Sequence, residues 1–359
     1  MIERFAPMVV LHPQDVYRPT SVDEYLRGVK LVSGDGTKQI SQVTPEVLAQ
    51  HGGGTYKDWY LEQVDEGVKF GMPTVLKGDG DKAYSPAPMY YHQYRDDAQK
   101  ATFVVYAMFY GFNGSQSGYS RIRQQHVFKT HHKDRWWTWA DFAQHESDWE
   151  HVVVRIPDGA TEPDWLRLGR HHSSDGEWVK WSEIPKWNGH PFVYSALHSH
   201  GVYKDQRGFG NDRSGKYQPS GSDKLSAWLV ALVNTMPGDG PTEYAFEEIV
   251  FGDQTVEHLP GLISTYWTPW ETPNGLVEID PDGWAAFEGM WAPVRNDAAH
   301  LHDPTPHLPG HLHMKLSQAA KLVKFLNALP EQYRMGGRPV SPLHQDWWDK
   351  QPDLPAAAA

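Results

Sequence analysis

The 359-residue sequence contains no cysteine, which excludes disulfide bonds, thiolate metal sites and a cysteine nucleophile. It also lacks runs of lysine and arginine, and its formal charge of -12 argues against nonspecific binding to nucleic acid or anionic lipid. No apolar run is long enough for a membrane span, and no signal peptide is recognisable at the N-terminus. We therefore expect a cytoplasmic protein without a transmembrane segment, or a secreted one if a leader has been removed.

Aromatic residues and turn formers are abundant instead. The chain has 16 Trp, 17 Tyr and 13 Phe, together with 32 Gly and 27 Pro. This composition is typical of many strands and turns rather than of a helical bundle. Ala101 to Phe112 is the strongest apolar β run, and the turn residues Asn113-Gly114 follow it. We predict an antiparallel β-sandwich of the jelly-roll type with a few peripheral helices.

The helices are predicted from capping residues and apolar periodicity. They cover Pro19 to Leu31, Thr44 to Gln50, Asp223 to Met236 and His313 to Leu329. No linker divides the chain, so we expect one β-rich domain over residues 1–359. Its parts are an N-terminal strand with short helices (4–62), the sandwich core (85–295), and a His/Pro-rich loop with a C-terminal helix and tail (296–359).

The stretch QHESDWEHVVVRI, from Gln144 to Ile156, carries the most chemical information. A polar cluster runs directly into a strand-like apolar run here. Side chains alternate along a strand, so one face is predicted to carry Asp148, Glu150, Val152 and Val154, and the other Trp149, His151, Val153 and Arg155. His145 can turn back toward Asp148 if the chain bends near Ser147.

Two carboxylates and a neutral imidazole suit a divalent cation. We expect Mg²⁺, Ca²⁺ or Mn²⁺ at His145, Asp148 and Glu150, with Zn²⁺ less favoured because it needs a second histidine. The same groups could work as a general acid and base, since neighbouring carboxylates shift each other's pKa. A third interpretation is ordinary ion pairing on a solvated strand face.

Leu197 to Gly201, with the sequence LHSHG, offers the histidine that could complete the site. His198 and His200 are two residues apart, so an extended backbone points both the same way. We take His198 as a candidate metal ligand and His200, with His151, as a candidate acid or base. Any one of 20 histidines can equally be a surface or core residue. The histidine-rich loop from His300 to His313 is a weaker metal candidate.

Several segments together resemble the vacuolar protein sorting-associated protein 62 family. They lie in one order along the chain: RFAPMVVLHPQDVYRPTSVDEYL (4–26), FYGFNG (109–114), SDWEHVVVRI (147–156), VYSALHSHGVY (193–203) and WAAFEGMWAP (284–293). The resemblance spans about residues 4 to 295 and implies a fold rather than an activity.

A more distant similarity is to the necrosis- and ethylene-inducing cytolysins, whose G-H-R-H-D-W-E motif holds a divalent cation on a β-sandwich. His145, Asp148 and Glu150 fall on the first histidine, the aspartate and the glutamate of that motif, while Ser147 replaces its second histidine. That family also supplies a later histidine, for which His198 or His200 is the candidate.

We therefore expect a divalent-metal-dependent enzyme that acts on a small organic or lipid-like substrate in an aromatic-lined pocket. A metal-assisted hydrolase, lyase or cyclase would fit these residues. The alternative is a noncatalytic module that binds a lipid head group or glycan through the cation, as in the cytolysins. A third alternative is an ion that only ties the strand to its loops.

Overall fold

The structure is a computed structural model, and it describes twelve stretches of the chain. They are residues 1–11, 17–51, 58–64, 87–113, 117–119, 136–138, 145–170, 172–195, 200–204, 266–293, 340–345 and 347–355. The predicted helices over 223–236 and 313–329 lie outside the described residues, as do His198 and the histidine-rich loop. No helix in the described stretches is long and apolar enough to cross a membrane.

The described residues are mainly β, with short helices at the periphery. The α-helices are α1 (Ile2–Phe5), α2 (Val22–Arg27) and α3 (Pro45–Gln50). The first strands are β1 (Met8–Val10), β2 (Val29–Ser33), β3 (Gln39–Ile40), β4 (Trp59–Gln63), β5 (Met89–Asp96), β6 (Ala101–Asn113), β7 (Ser117–Tyr119) and β8 (Trp136–Thr138). The remaining strands are β9 (His145–Pro157), β10 (Trp165–Arg170), β11 (His172–Lys180), β12 (Lys186–Trp187), β13 (His190–Ser195), β14 (Val202–Tyr203), β15 (Tyr266–Trp267) and β16 (Leu276–Glu278).

A six-stranded sheet forms the centre of the molecule, in the order β11-β10-β9-β6-β5-β16. Its long strands β6 and β9 pair antiparallel from Ala101 opposite Pro157 to Asn113 opposite His145. Both strands are buried along nearly their whole length because both faces of this sheet are covered. The edge strand β16 pairs with β5 in parallel.

One face of the central sheet packs on a second sheet, in the order β12-β13-β1-β15, with β14 paired to β13. The buried side chains between the two sheets include Val104, Tyr106, Val152, Val193 and Trp267. These layers form the predicted β-sandwich, which is predominantly antiparallel, although β1 and β13 pair in parallel.

The opposite face of the central sheet packs on α2, α3 and the small sheet β3-β2-β4. Phe103, Val105, Phe109 and Val153 lie in this second cluster of buried residues, with the tryptophans at 149, 284 and 291. The alternation predicted for the QHESDWEHVVVRI stretch is confirmed: Val152 and Val154 belong to the first cluster, and Trp149 and Val153 to the second.

The helix over Thr44 to Gln50 is confirmed, with Thr44 as its N-cap and its side chain accepting from the amide of Val47. The helix from Pro19 to Leu31 was predicted too long. It covers only Val22–Arg27, where Ser21 caps it by accepting from the Glu24 amide at 3.0 Å. Gly28 ends this helix, and the chain then forms β2, whose valine and leucine side chains are buried. Valine favours strands because its branched Cβ restricts its rotamers in a helix.

A short two-stranded sheet consists of β7 and β8. Trp136–Thr138 forms β8, which pairs antiparallel with β7. Its three residues, Trp-Trp-Thr, all have high strand propensity.

Candidate functional site

A buried aspartate–histidine pair joins the two sheets of the sandwich. Asp148 lies on β9 and faces the second sheet, and His200 lies in the connection between β13 and β14. The Nδ1 atom of His200 lies 2.9 Å from the Oδ2 atom of Asp148. His200 is 1% exposed and Asp148 is 8% exposed. Their contact is therefore shielded from water, which would weaken it at the surface.

Neighbouring side chains fix the orientation of His200. The ring of Tyr110 stacks on the imidazole with 3.7 Å between ring centroids and 3° between planes. The Tyr110 hydroxyl lies 3.3 Å from Oγ of Ser195, and that oxygen in turn donates to the His200 carbonyl at 3.4 Å. The amide of Asn113 donates to Oδ2 of Asp148 at 3.4 Å. The pair is therefore held from both sides.

The backbone is strained on each side of this contact. Ser147 has φ of 54° and His200 has φ of 58°, both in the left-handed region that residues other than glycine rarely adopt. Such conformations cost about 1–3 kcal/mol each and concentrate at functional sites. The positive φ of Ser147 lies inside β9, which begins at His145, whereas a strand that starts after Ser147 was the condition considered for His145 to turn back toward Asp148.

His145 is held by a backbone carbonyl. Its Nδ1 atom lies 2.7 Å from the carbonyl oxygen of Ser147, so Nδ1 must carry the proton and donate. In the neutral ring the lone pair then lies on Nε2, which is buried and has no hydrogen-bond partner among the described residues. A histidine whose Nδ1–H is held by a carbonyl while Nε2 is left as an acceptor has the arrangement of a metal ligand.

The two glutamates of this stretch are both buried but face different layers. Strand alternation places Glu150, 3% exposed, on the same face as Asp148, as predicted. The bend at Ser147 turns Glu146 to the other face, where Oε2 accepts from the amide of Gln63 at 2.7 Å. Burial raises the pKa of Tyr25 on that side, and the Glu146 carboxylate raises it further.

His151 lies on the opposite face of the central sheet from Asp148. Its ring stacks on Trp347 with 4.6 Å between centroids. Burial lowers the pKa of His151 well below its usual value, and the nearby Arg167 guanidinium lowers it further. The ring is therefore neutral near pH 7. The structure thus brings His200, and not His151, to the aspartate.

The donor types at this site suit a hard divalent cation: Asp148 and Glu150 supply carboxylates, and His145 supplies a correctly oriented imidazole. Within the described stretches, however, no three His, Asp or Glu side chains are gathered closely enough to hold an ion. His198, the fourth candidate ligand, lies outside those stretches. A cation at His145, Asp148, Glu150 and His198 therefore stays a prediction.

Sequence reasoning missed the residues that support the pair. Tyr110 and Asn113 belong to the FYGFNG segment, which was interpreted as a core strand and a turn, and Ser195 was quoted only within the segment VYSALHSHGVY. Their antiparallel register, with Tyr110 opposite Asp148 and Asn113 opposite His145, brings them to the site. A pattern within one segment carries no information about that pairing.

Comparison with known proteins supplies a family and a similar solved structure. No curated protein matches the chain. The crystal structure of necrosis and ethylene inducing protein 2, from the causal agent of cocoa's witches' broom disease, is similar over 57% of this chain and 68% of that one. The identity is 14% and the TM-score is 0.27. Residues 1–214 match the profile of vacuolar protein sorting-associated protein 62. This segment contains β1 to β14 and every candidate site residue. The chain belongs to the vacuolar protein sorting-associated protein 62 family.

Proposed function

We propose that the chain is a divalent-cation-dependent enzyme acting on a small organic or lipid-like substrate, with His200 as its acid or base. The observation that carries this proposal is the buried 2.9 Å contact between His200 Nδ1 and Asp148 Oδ2. A carboxylate at Nδ1 fixes the tautomer and the ring orientation, so that Nε2 is the nitrogen that accepts a proton. Nε2 then takes a proton from a nucleophile or substrate carbon and returns it to the leaving group.

The rigid surroundings of His200 support a catalytic role for it. The Tyr110 ring restricts rotation of the imidazole, and Ser195 holds the backbone at the same residue. A base held in one orientation loses little entropy when it meets the substrate. The strained backbone at His200 and Ser147 is maintained only where the surrounding contacts favour it.

In this proposal His145, Asp148 and Glu150 would hold Mg²⁺, Ca²⁺ or Mn²⁺ once their side chains move closer together than they lie in this structure, and His198 is the fourth candidate ligand. When bound, the cation would polarise a substrate oxygen and stabilise the negative charge that develops on it. Asp148 contributes one carboxylate oxygen to His200, which leaves its other oxygen for the ion. His145 contributes Nε2, since its Nδ1 is held by the Ser147 carbonyl.

The cation is tested first. Protein purified without nickel is analysed for metal content, dialysed against chelator, and titrated calorimetrically with Mg²⁺, Ca²⁺, Mn²⁺ and Zn²⁺. We expect Asp148→Asn and Glu150→Gln to weaken binding at least about tenfold, since each removes one charged ligand. Asp158→Asn is the matched control, because Asp158 is exposed and paired with Arg95. No binding by the unaltered chain would remove the cation from the proposal.

Catalysis is tested separately with His200→Gln. We expect this variant to keep cation affinity within about threefold and to lose at least about a hundredfold of turnover on ester and phosphoester probes. Phospholipid vesicles, with and without the cation, provide the second arm. Cation-dependent vesicle binding without turnover would favour the noncatalytic module over the enzyme.

A further inference from the structure

A break in the pairing of β6 with β9 lies beside His145. The two strands pair on both sides of the break, but Gly111 and Ser147, which fall opposite each other in these described strands, are not paired. Ser147 has a φ of 54°, so the chain leaves the extended conformation there. The carbonyl of Ser147 accepts from Nδ1 of His145 at 2.7 Å. The orientation of the His145 ring therefore depends on the backbone conformation at Ser147.

Gln63, the last residue of β4, contacts both strands at this break. Its side-chain amide donates to the carbonyl of Gly111 on β6. Its backbone amide donates to Oε2 of Glu146 on β9 at 2.7 Å. Glu146 is 4% exposed, and a hydrogen bond to a buried carboxylate is stronger than one between neutral groups. One residue of the small sheet thus holds β6 and β9 at the point where they do not pair with each other.

The small sheet fixes the position of Gln63. Gln63 pairs with Val29 of β2, and the amide of the next residue, Val64, donates to the carbonyl of Gly28 at 2.9 Å. Backbone hydrogen bonds of this kind order the residue before it meets the central sheet. The side chain of Gln63 therefore loses less conformational entropy in holding the two strands than a side chain on a loop would.

We propose that Gln63 is a positioning residue, which orients His145 for the cation by holding the left-handed conformation at Ser147. This conformation is unfavourable for serine and persists only where surrounding contacts favour it. The bonds from Gln63 to Gly111 and Glu146 are such contacts. With Ser147 held, Nδ1 of His145 keeps its proton and Nε2 is left for the ion. The binding of an ion at Nε2 rests on the function proposed above, whereas the dependence of the His145 tautomer on Gln63 does not.

The test uses the full chain with Gln63→Met, which keeps the backbone amide and most of the side-chain volume but removes the donor to Gly111. The histidine rings are labelled with ¹⁵N, and the nitrogen resonances of His145 are identified by their loss in His145→Gln. In the unaltered chain we expect the neutral ring to carry its proton on Nδ1. In Gln63→Met we expect the proton to be shared between Nδ1 and Nε2, so that the shifts of the two nitrogens move toward each other. Cation affinity, measured by calorimetry, should fall about tenfold.

Two controls separate positioning from a general loss of stability. Gln93→Met is the matched substitution, because Gln93 is an exposed glutamine on β5. Thr44→Ala removes the hydrogen bond that caps α3 and so destabilises the fold away from the break. Both variants should leave the His145 tautomer and the cation affinity as they are in the unaltered chain.

A fixed Nδ1–H tautomer of His145 in Gln63→Met, whatever the melting temperature, would overturn the proposal, because Gln63 would then only contribute packing. A proton on Nε2 in the unaltered chain would overturn it as well. A changed tautomer in Gln63→Met supports the positioning of His145, and if the unaltered chain binds no cation, only the ion in the proposed function is removed. Should Gln63→Met not fold, Gln63→Asn, whose amide is one methylene too short to reach Gly111, decides by the same measurements.

Discussion

Trp149 is predicted to stabilise the fold without taking part in the site that surrounds it in sequence. It lies between Asp148 and Glu150, yet its side chain faces the other layer, where it is 7% exposed. Its ring centroid is 4.6 Å from that of Phe109, and it stacks on Trp284 at 5.6 Å with 8° between planes. Replacing it with alanine removes these contacts and leaves a cavity.

Truncation of a buried tryptophan to alanine costs about 3–5 kcal/mol, and each aromatic contact contributes about 0.5–1.5 kcal/mol beyond the area buried. We therefore expect Trp149→Ala to lose at least about 3 kcal/mol of unfolding free energy, a large part of the 5–15 kcal/mol typical of a folded protein. The assay is urea denaturation followed by circular dichroism, with the midpoint and slope compared with those of the unaltered chain.

Trp187→Ala provides the comparison, because Trp187 is half-buried on the short strand β12. Its loss should stay under about 2 kcal/mol. A loss below about 1 kcal/mol at Trp149 would refute the reasoning, since the stacked rings would then contribute little. Cation affinity per folded molecule should be unchanged in Trp149→Ala, whose side chain lies on the other face from Asp148.

Three further predictions concern the opposite face and one helix cap. Gly169→Ala should lower the melting temperature by the equivalent of about 1–3 kcal/mol, because its Cβ would collide with His151; an unchanged melting temperature would contradict the close approach. Burial and Arg167 hold the pKa of His151 below 6.5 in the folded state, so the unfolded chain takes up the proton first. Stability should therefore fall between pH 7.5 and 5.5, and less steeply in His151→Gln, as differential scanning calorimetry would show; equal slopes would contradict this. Ser21→Ala should cost about 1 kcal/mol in urea denaturation, since it leaves the Glu24 amide without its cap, and Ser21→Asn should restore most of that loss.

The local patterns were sufficient to predict the strands that build the site. The continuous apolar run from Ala101 predicted β6, and the switch from polar to apolar residues predicted β9 with its two faces. A bend near Ser147 was considered only as the condition under which His145 could turn back toward Asp148. These features depend on side-chain alternation and on neighbours along the chain, so the sequence contains them directly.

The partners across the layers could not be predicted in the same way. His200 was one of two candidates two residues apart, and its contact with Asp148 depends on how the sheet that contains β13 and β14 packs against the central sheet. The ring that stacks on His151 belongs to Trp347, nearly two hundred residues away in sequence. Such contacts depend on the order of strands in the sheets and on the path of distant segments. A periodic pattern within one segment contains no information about either.

The central sheet determines what each residue of the D-W-E-H sequence at residues 148–151 contacts. Both faces of this sheet are covered. Side-chain alternation therefore places Asp148 and Glu150 inside the sandwich, whereas Trp149 and His151 face the layer that contains α2 and Trp347. Four consecutive residues therefore serve two separate environments. One is a strained, polar contact between two sheets, and the other is an aromatic core with a buried histidine. A substitution at Asp148 or Glu150 should change the chemistry at His200. A substitution at Trp149 or His151 should change the packing of the opposite layer. A variant that altered both would mean that the two faces are coupled through the bend at Ser147.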